Sequence, residues 1–117
     1  MPHVQIRGEI VFQDIWRRFE PLKLRDPCPI SVDKPYMKQD GQVLLFHTTV
    51  VESGRSQRFY LLVASKPDGV MVRIDPVTDP VKTDGVKRAL ALLAEWIRSL
   101  APGATYGVTN IGEFLTP

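Results

Sequence analysis

The chain is expected to fold as an α+β protein. A four-stranded antiparallel meander is packed by a long C-terminal helix and preceded by a short N-terminal strand-helix unit, in the order β-α-β-β-β-β-α. Three observations predict this. Gln42 to Asp75 is dense in β-branched and aromatic residues and is cut by two turn signals. Val86 to Leu100 repeats its apolar residues at helical spacing. An apolar helix face and an apolar sheet face then cover one another in two layers.

In chain order, His3 to Arg7 alternates, with Val4 and Ile6 on one side, and predicts a short strand ended by Gly8. Phe12, Ile15, Trp16 and Phe19 fall at i, i+3, i+4 and i+7, an apolar stripe on a short helix that Pro21 stops. Pro21 to Pro29 reads as a connector, because residues before proline avoid the helical region. Ile30 to Met37 predicts a strand, and Pro35 places it at a sheet edge. Gln39-Asp40-Gly41 is the turn into the central strands.

Gln42 to Glu52, Arg58 to Ser65 and Val70 to Asp75 follow as strands, separated by Ser53-Gly54-Arg55-Ser56 and by Lys66-Pro67-Asp68-Gly69. One parity, Phe59, Leu61, Val63, Val70, Val72 and Ile74, forms a core face. In the first of these strands both parities are apolar. The set with Leu44, Phe46, Thr48 and Val50 is assigned inward because it leaves His47 outside. Asp79 before Pro80 has the layout of a helix cap, with Thr83 or Asp84 as the alternative start and Gly85 an unhelpful residue in the first turn. In the long helix Val86, Ala89, Leu90, Leu93, Trp96, Ile97 and Leu100 share one face, with Lys87, Arg88, Glu95, Arg98 and Ser99 opposite. Pro102-Gly103 ends it.

The 117 residues fit a single domain, 1–117, in which 103–117 is either a last strand or an extended tail. Hydrophobic residues make up 44% and charged residues 24%, the balance of an ordinary globular chain. Net charge is only +2, too small by itself to imply nucleic acid or an anionic membrane. The single cysteine, Cys28, excludes an internal disulfide and suits a reducing compartment. Without a signal-like N-terminus or an apolar run of ~20 residues, a cytoplasmic protein with no membrane partner is expected.

The outer sheet face is expected to carry Arg58, Tyr60, Leu62, Ala64, Met71, Arg73 and Asp75 beside Val43, Leu45, His47, Thr49 and Val51. That is more apolar than a solvated face should be, so an interface, most simply homo-oligomeric, is the first reading. Arg55, Arg58, Tyr60 and Arg73 form the candidate nucleic-acid or anion site, with Lys34, Tyr36 and Lys38 as neighbours. Bases stack on tyrosine while arginines track phosphates. The weak net charge favours ordinary surface charges instead. Arg17, Arg18, Lys23 and Arg25 make a second basic patch, diluted by Asp14, Glu20 and Asp26.

No metal site is expected from His3 and His47 alone. Asp75, Asp79 and Asp84 lack calcium-loop spacing and read as caps. Cys28 would need a lowered pKa to act as a nucleophile, and only Lys23 and Arg25 lie near it in sequence. With no nucleophile elbow, phosphate loop or dinucleotide fingerprint, no enzymatic activity and no cofactor are expected.

The order of elements resembles the β-α-β4-α arrangement of TATA-binding-protein-like and helix-grip folds. It also resembles the β4-α unit of single-stranded nucleic-acid binders of the Whirly and Pur-alpha type. That resemblance puts single-stranded nucleic acid first among named ligands. The expected function is a small non-enzymatic binding or assembly module, homodimeric. Single-stranded nucleic-acid binding through the outer face is the alternative. A carrier of small apolar ligands, with a cavity bounded by Phe46, Phe59, Leu90 and Trp96, is the third reading.

Overall fold

The longest strands are β4 (Val43–Glu52) and β5 (Arg55–Lys66), paired without interruption from Val43↔Ala64 to Glu52↔Arg55. In this computed structural model, which describes residues 1–116, the turn between them is only Ser53-Gly54, both with positive φ (50° and 77°). Two positive φ values twist a two-residue loop with the strands it joins. Arg55 and Ser56, expected in the turn, are therefore already in β5. The turn at Pro67-Asp68 leads to β6 (Gly69–Ile74). Gly69 is obligatory for a reason of space: a Cβ there would overlap the carbonyl oxygen of Ile6.

The α+β class and the antiparallel sheet are as expected, but the sheet has seven strands rather than four. It curves as a half-barrel in the order β2-β3-β4-β5-β6-β1-β7. Here β1 is His3–Arg7, β2 Leu22–Leu24, β3 Ile30–Met37 and β7 Thr105–Thr109. β1 lies between β6 and β7, pairing Val4 with Val72 and Thr109. The expected connector 21–29 contains β2, which pairs with Ile30, Ser31 and Val32 only. The Pro35 half of β3 thus has β4 as its one neighbour, and the register shifts between Val32 and Pro35. A residue without an N–H fits such an open side.

The segment 103–117 resolves in favour of a last strand, followed by a 3₁₀ turn at Gly112–Phe114; its final residue, Pro117, lies outside the described residues. It returns across the polar side of helix α2 (Asp84–Ser99). Arg98 donates to the carbonyls of Ala104 (3.2 Å) and Thr116 (3.3 Å) and its guanidinium lies 4.7 Å from the Tyr106 ring centre. Glu95 accepts from the Thr116 N–H at 2.9 Å, and Arg88 sits 5.2 Å over Phe114. Arg88, Glu95 and Arg98, expected on the polar face away from the core, are half-buried contacts instead.

The core lies between the concave side of the sheet and α2. Leu44, Phe46, Thr48 and Val50 from β4, Phe59, Leu61 and Val63 from β5, and Val70, Val72 and Ile74 from β6 are all buried, with Val4 and Ile6 from β1. The inward parity is the expected one. Thr48 is tolerated there because its hydroxyl donates to the Phe46 carbonyl at 2.9 Å. α2 contributes Val86, Ala89, Leu90, Leu93 and Ile97. Helix α1 (Phe12–Arg18) adds Ile15, and Phe19 just beyond it packs edge-on against Phe46 (4.9 Å) and Trp96 (5.1 Å). Trp16 does not join them. It is 40% exposed, and Ile15 is the one residue of this seven-residue helix that is fully buried.

α2 begins at Thr83, the alternative start, and not at Asp79-Pro80. Asp79 takes a positive φ of 31° in the preceding loop. The Thr83 hydroxyl accepts from the Val86 N–H at 3.3 Å and donates to one oxygen of Glu52. The other Glu52 oxygen accepts from the Gly85 N–H at 3.0 Å. A carboxylate from the end of β4 thereby satisfies the positive end of α2. Gly85 is what makes room for it, because a Cβ would stand 2.5 Å from Glu52 Cδ and 2.7 Å from Val50 Cγ1.

This reverses the usual sign of a glycine substitution. Alanine for glycine inside a helix ordinarily stabilises by about 1 kcal/mol. Gly85→Ala is expected to destabilise by about 1–3 kcal/mol, the range for overpacking. The cost should shrink in a Glu52→Ala background, where half of the clash is gone. Urea unfolding of the two single variants and the double variant measures this; a Gly85→Ala protein more stable than the parent would refute the packing argument.

Candidate functional site: the outer sheet face

Strand alternation turns every second residue of β4, β5 and β6 away from α2. Across the sheet these form rows: Ser31, Thr49 and Arg58; then His47 and Tyr60; then Tyr36, Leu45, Leu62, Arg73 and His3; then Val43, Ala64, Met71 and Gln5. The third row is the notable one. Tyr36 is 65% exposed beside Leu45, whereas Leu62, in the middle, is only 5% exposed although it points away from the core. Its neighbours close over it.

Of the proposed site residues, Arg58 and Tyr60 stand two apart on β5, and Arg73 on β6 faces Leu62 in the next row. The sheet therefore brings these three onto one surface. Arg55 is not with them. It lies opposite Glu52 at the β4–β5 turn, on the other parity, and lines a separate pocket with Gln57, Val81 and Thr83. Tyr36 is on the outer face, while Lys38 lies beyond the end of β3. The second basic patch is split between α1 and the β2 edge, and Arg17 is occupied by Asp14 at 2.9 Å.

The described residues contain four ion pairs, Arg7–Asp68, Arg17–Asp14, His47–Asp33 and Lys82–Asp79. Arg58 and Arg73 are exposed and take part in none of them. His47 Nδ1 lies 3.3 Å from an Asp33 oxygen and its ring meets Tyr60 edge-on at 5.6 Å. That link could not be read from the sequence. It depends on the β3 irregularity between Val32 and Pro35, which carries Asp33 to a residue fourteen positions on.

Cys28 lies beside the β4–β5 turn, in a cavity of about 450 Å³ with Glu52, Asp84, Gly85 and Arg88. Burial pushes its thiol pKa up, the charge of Glu52 pushes it further, and Arg88 opposes them in part. Lys23 and Arg25 have no part in this. A group so placed stays protonated at neutral pH and is a poor nucleophile. Among the described residues no three His, Cys, Asp or Glu side chains are placed to hold a metal ion, and no helix is long and apolar enough to cross a membrane.

Iodoacetamide should therefore label Cys28 slowly at neutral pH, with a rate that climbs through a midpoint above the ordinary thiol value of 9.0. The urea-unfolded chain is the reference. A folded-state midpoint at or below the unfolded one would contradict the stated surroundings.

This surface offers flat and apolar side chains beside the guanidinium groups of Arg58 and Arg73, which join none of the ion pairs among the described residues. No protein-family model matches the chain, and no solved structure matches it.

Proposed function

We propose that the protein is a non-enzymatic binding or assembly module and that its working surface is the outer face of the sheet, through which two copies associate. The observation that carries this reading is the outward apolar set Tyr36 and Leu45, paired across β3 and β4, with Val43 beside them. Apolar side chains in register across two strands gain by being covered, at roughly 25 cal/mol for each Å² removed from water. The concave side offers less support, since Phe46, Phe59 and Leu90 are fully buried in the core cluster beneath α2. Two-fold association of one such face is self-complementary.

Light scattering after size exclusion tests the assembly. The expected mass is twice 13.2 kDa at micromolar concentration. Leu45→Lys, on the outer face, should return it to the monomer value and leave a folded chain whose melting temperature no longer depends on concentration. A parent protein that stays at the single-chain mass throughout a dilution series would sink this reading.

A second reading, single-stranded nucleic-acid binding, is favoured by the unpaired Arg58 and Arg73 beside Tyr60. Neutralised phosphates release counterions, so affinity for a labelled oligonucleotide should fall as salt rises. Changing both arginines to alanine should flatten the salt slope by about one to two units. Tyr60→Ala should cost about 1–3 kcal/mol with little change of slope. Fluorescence anisotropy at two salt concentrations separates these outcomes, and absence of binding at low salt removes nucleic acid from consideration.

A further inference from the structure

At one end of the outer face, β5, β6 and the start of β1 enclose an open depression of about 340 Å³, lined by Met1, His3, Ala64, Lys66, Met71 and Arg73. We propose that it is a binding site for a small organic anion, a phosphate monoester carrying a compact apolar substituent.

Strand pairing creates the site. Ala64 lies opposite Met71, and Arg73 lies opposite both Leu62 and His3. Lys66 is the next outward residue along β5 after Ala64. Same-face residues on a strand are about 6.6 Å apart, so Arg73 with His3 and Lys66 stand on opposite rims, one step either side of the Ala64–Met71 floor. Long side chains on both rims reach a single anion between them. The small side chain of Ala64 is what leaves the floor open. Met71 and Met1 supply adaptable apolar surface around it. The volume is within the range of small-molecule sites.

The charges make the class of ligand specific. Arg73 and Lys66 take part in none of the ion pairs among the described residues. The carboxylate nearest Lys66 in sequence, Asp68, is directed to Arg7 at 4.0 Å. That nearest Arg73, Asp75, accepts from the Val77 N–H at 3.4 Å. His3 Nδ1 must donate to the Met1 carbonyl at 2.9 Å, since a carbonyl only accepts; this leaves Nε2 as the ring's other polar atom. Two uncompensated cations flanking an apolar floor fit a dianionic head with an apolar body. The site shares Arg73 with the nucleic-acid reading but needs neither that reading nor association of copies.

The test uses phenyl phosphate and inorganic phosphate, titrated at constant ionic strength and followed by amide shifts in ¹⁵N-labelled protein. Phenyl phosphate should perturb the amides around Ala64 and Met71 saturably and bind more tightly than inorganic phosphate. Lys66→Gln and Arg73→Gln should each weaken it by about tenfold, the scale of one charge-assisted hydrogen bond. Ala64→Leu should abolish it by filling the floor. Arg58→Ala should leave it unchanged while weakening any oligonucleotide complex, which separates this site from the second reading. Shifts that do not saturate, or an affinity indifferent to Lys66→Gln and Arg73→Gln, would overturn the proposal.

Discussion

The carboxylate of Glu52 joins the longest hairpin to the longest helix, and the arrangement of both layers follows from that junction. It stands at the last residue of β4 and bonds the Thr83 hydroxyl and the Gly85 N–H. Because it bonds the cap and first turn of α2, it sets where the helix starts and hence its rotational phase. With that phase, Val86, Leu90, Leu93 and Ile97 all meet the concave sheet. A start at Asp79-Pro80 would leave the same residues helical but untether the helix from β4. The helix end also gains an anion where its macrodipole favours one.

Once α2 fills the concave side, the remaining contacts close the molecule around it. The chain after the helix turns back, adds β7 to the free side of β1, and is held by Arg88, Glu95 and Arg98. The polar residues of α2 thus act as a clasp rather than as a solvated face. Arg98 binds through both its charge and its flat surface, donating to two carbonyls while covering Tyr106. The sheet edges are treated differently. One ends in a three-residue strand beside a proline-bearing half-strand, a layout that discourages further pairing, and the other ends in β7.

This leaves the convex face as the broad surface available for recognition. Its composition is divided along the strands. Arg58, Tyr60 and His47 lie toward the β4–β5 turn, Arg73 and His3 share the next row with Tyr36, Leu45 and Leu62, and Lys66 lies at the far end, beyond Ala64 and Met71. Arg58 and Lys66 therefore stand at opposite ends of this face, separable by mutation, with Arg73 between them. Cys28 and its cavity lie between the β4–β5 turn and the start of α2, where Glu52 is already committed to the helix and the thiol is held protonated.

The sequence by itself determined what depends on local pattern. Alternation placed Phe46, Phe59, Val63 and Val72 inward; helical spacing placed Leu90, Leu93 and Ile97; Pro67-Asp68-Gly69 marked a turn. It also placed Arg58, Tyr60 and Arg73 on the outer parity, because side-chain direction in a strand follows simple counting. Only the tertiary structure decided what depends on distant partners. β2 is too short to announce itself and β7, interrupted by Gly107, lacks clear alternation; they exist as strands because Ile30–Val32 and β1 pair with them. Thr83 prevails over Asp79 because Glu52, thirty-one residues earlier, reaches it. Arg55 left the candidate group because a two-residue turn put it on the opposite parity. His3 and Lys66 joined Arg73 because β1 and β5 flank β6. Local spacing fixes the direction of a side chain within its element, but the neighbours of that element are selected by the packing free energy of the whole chain.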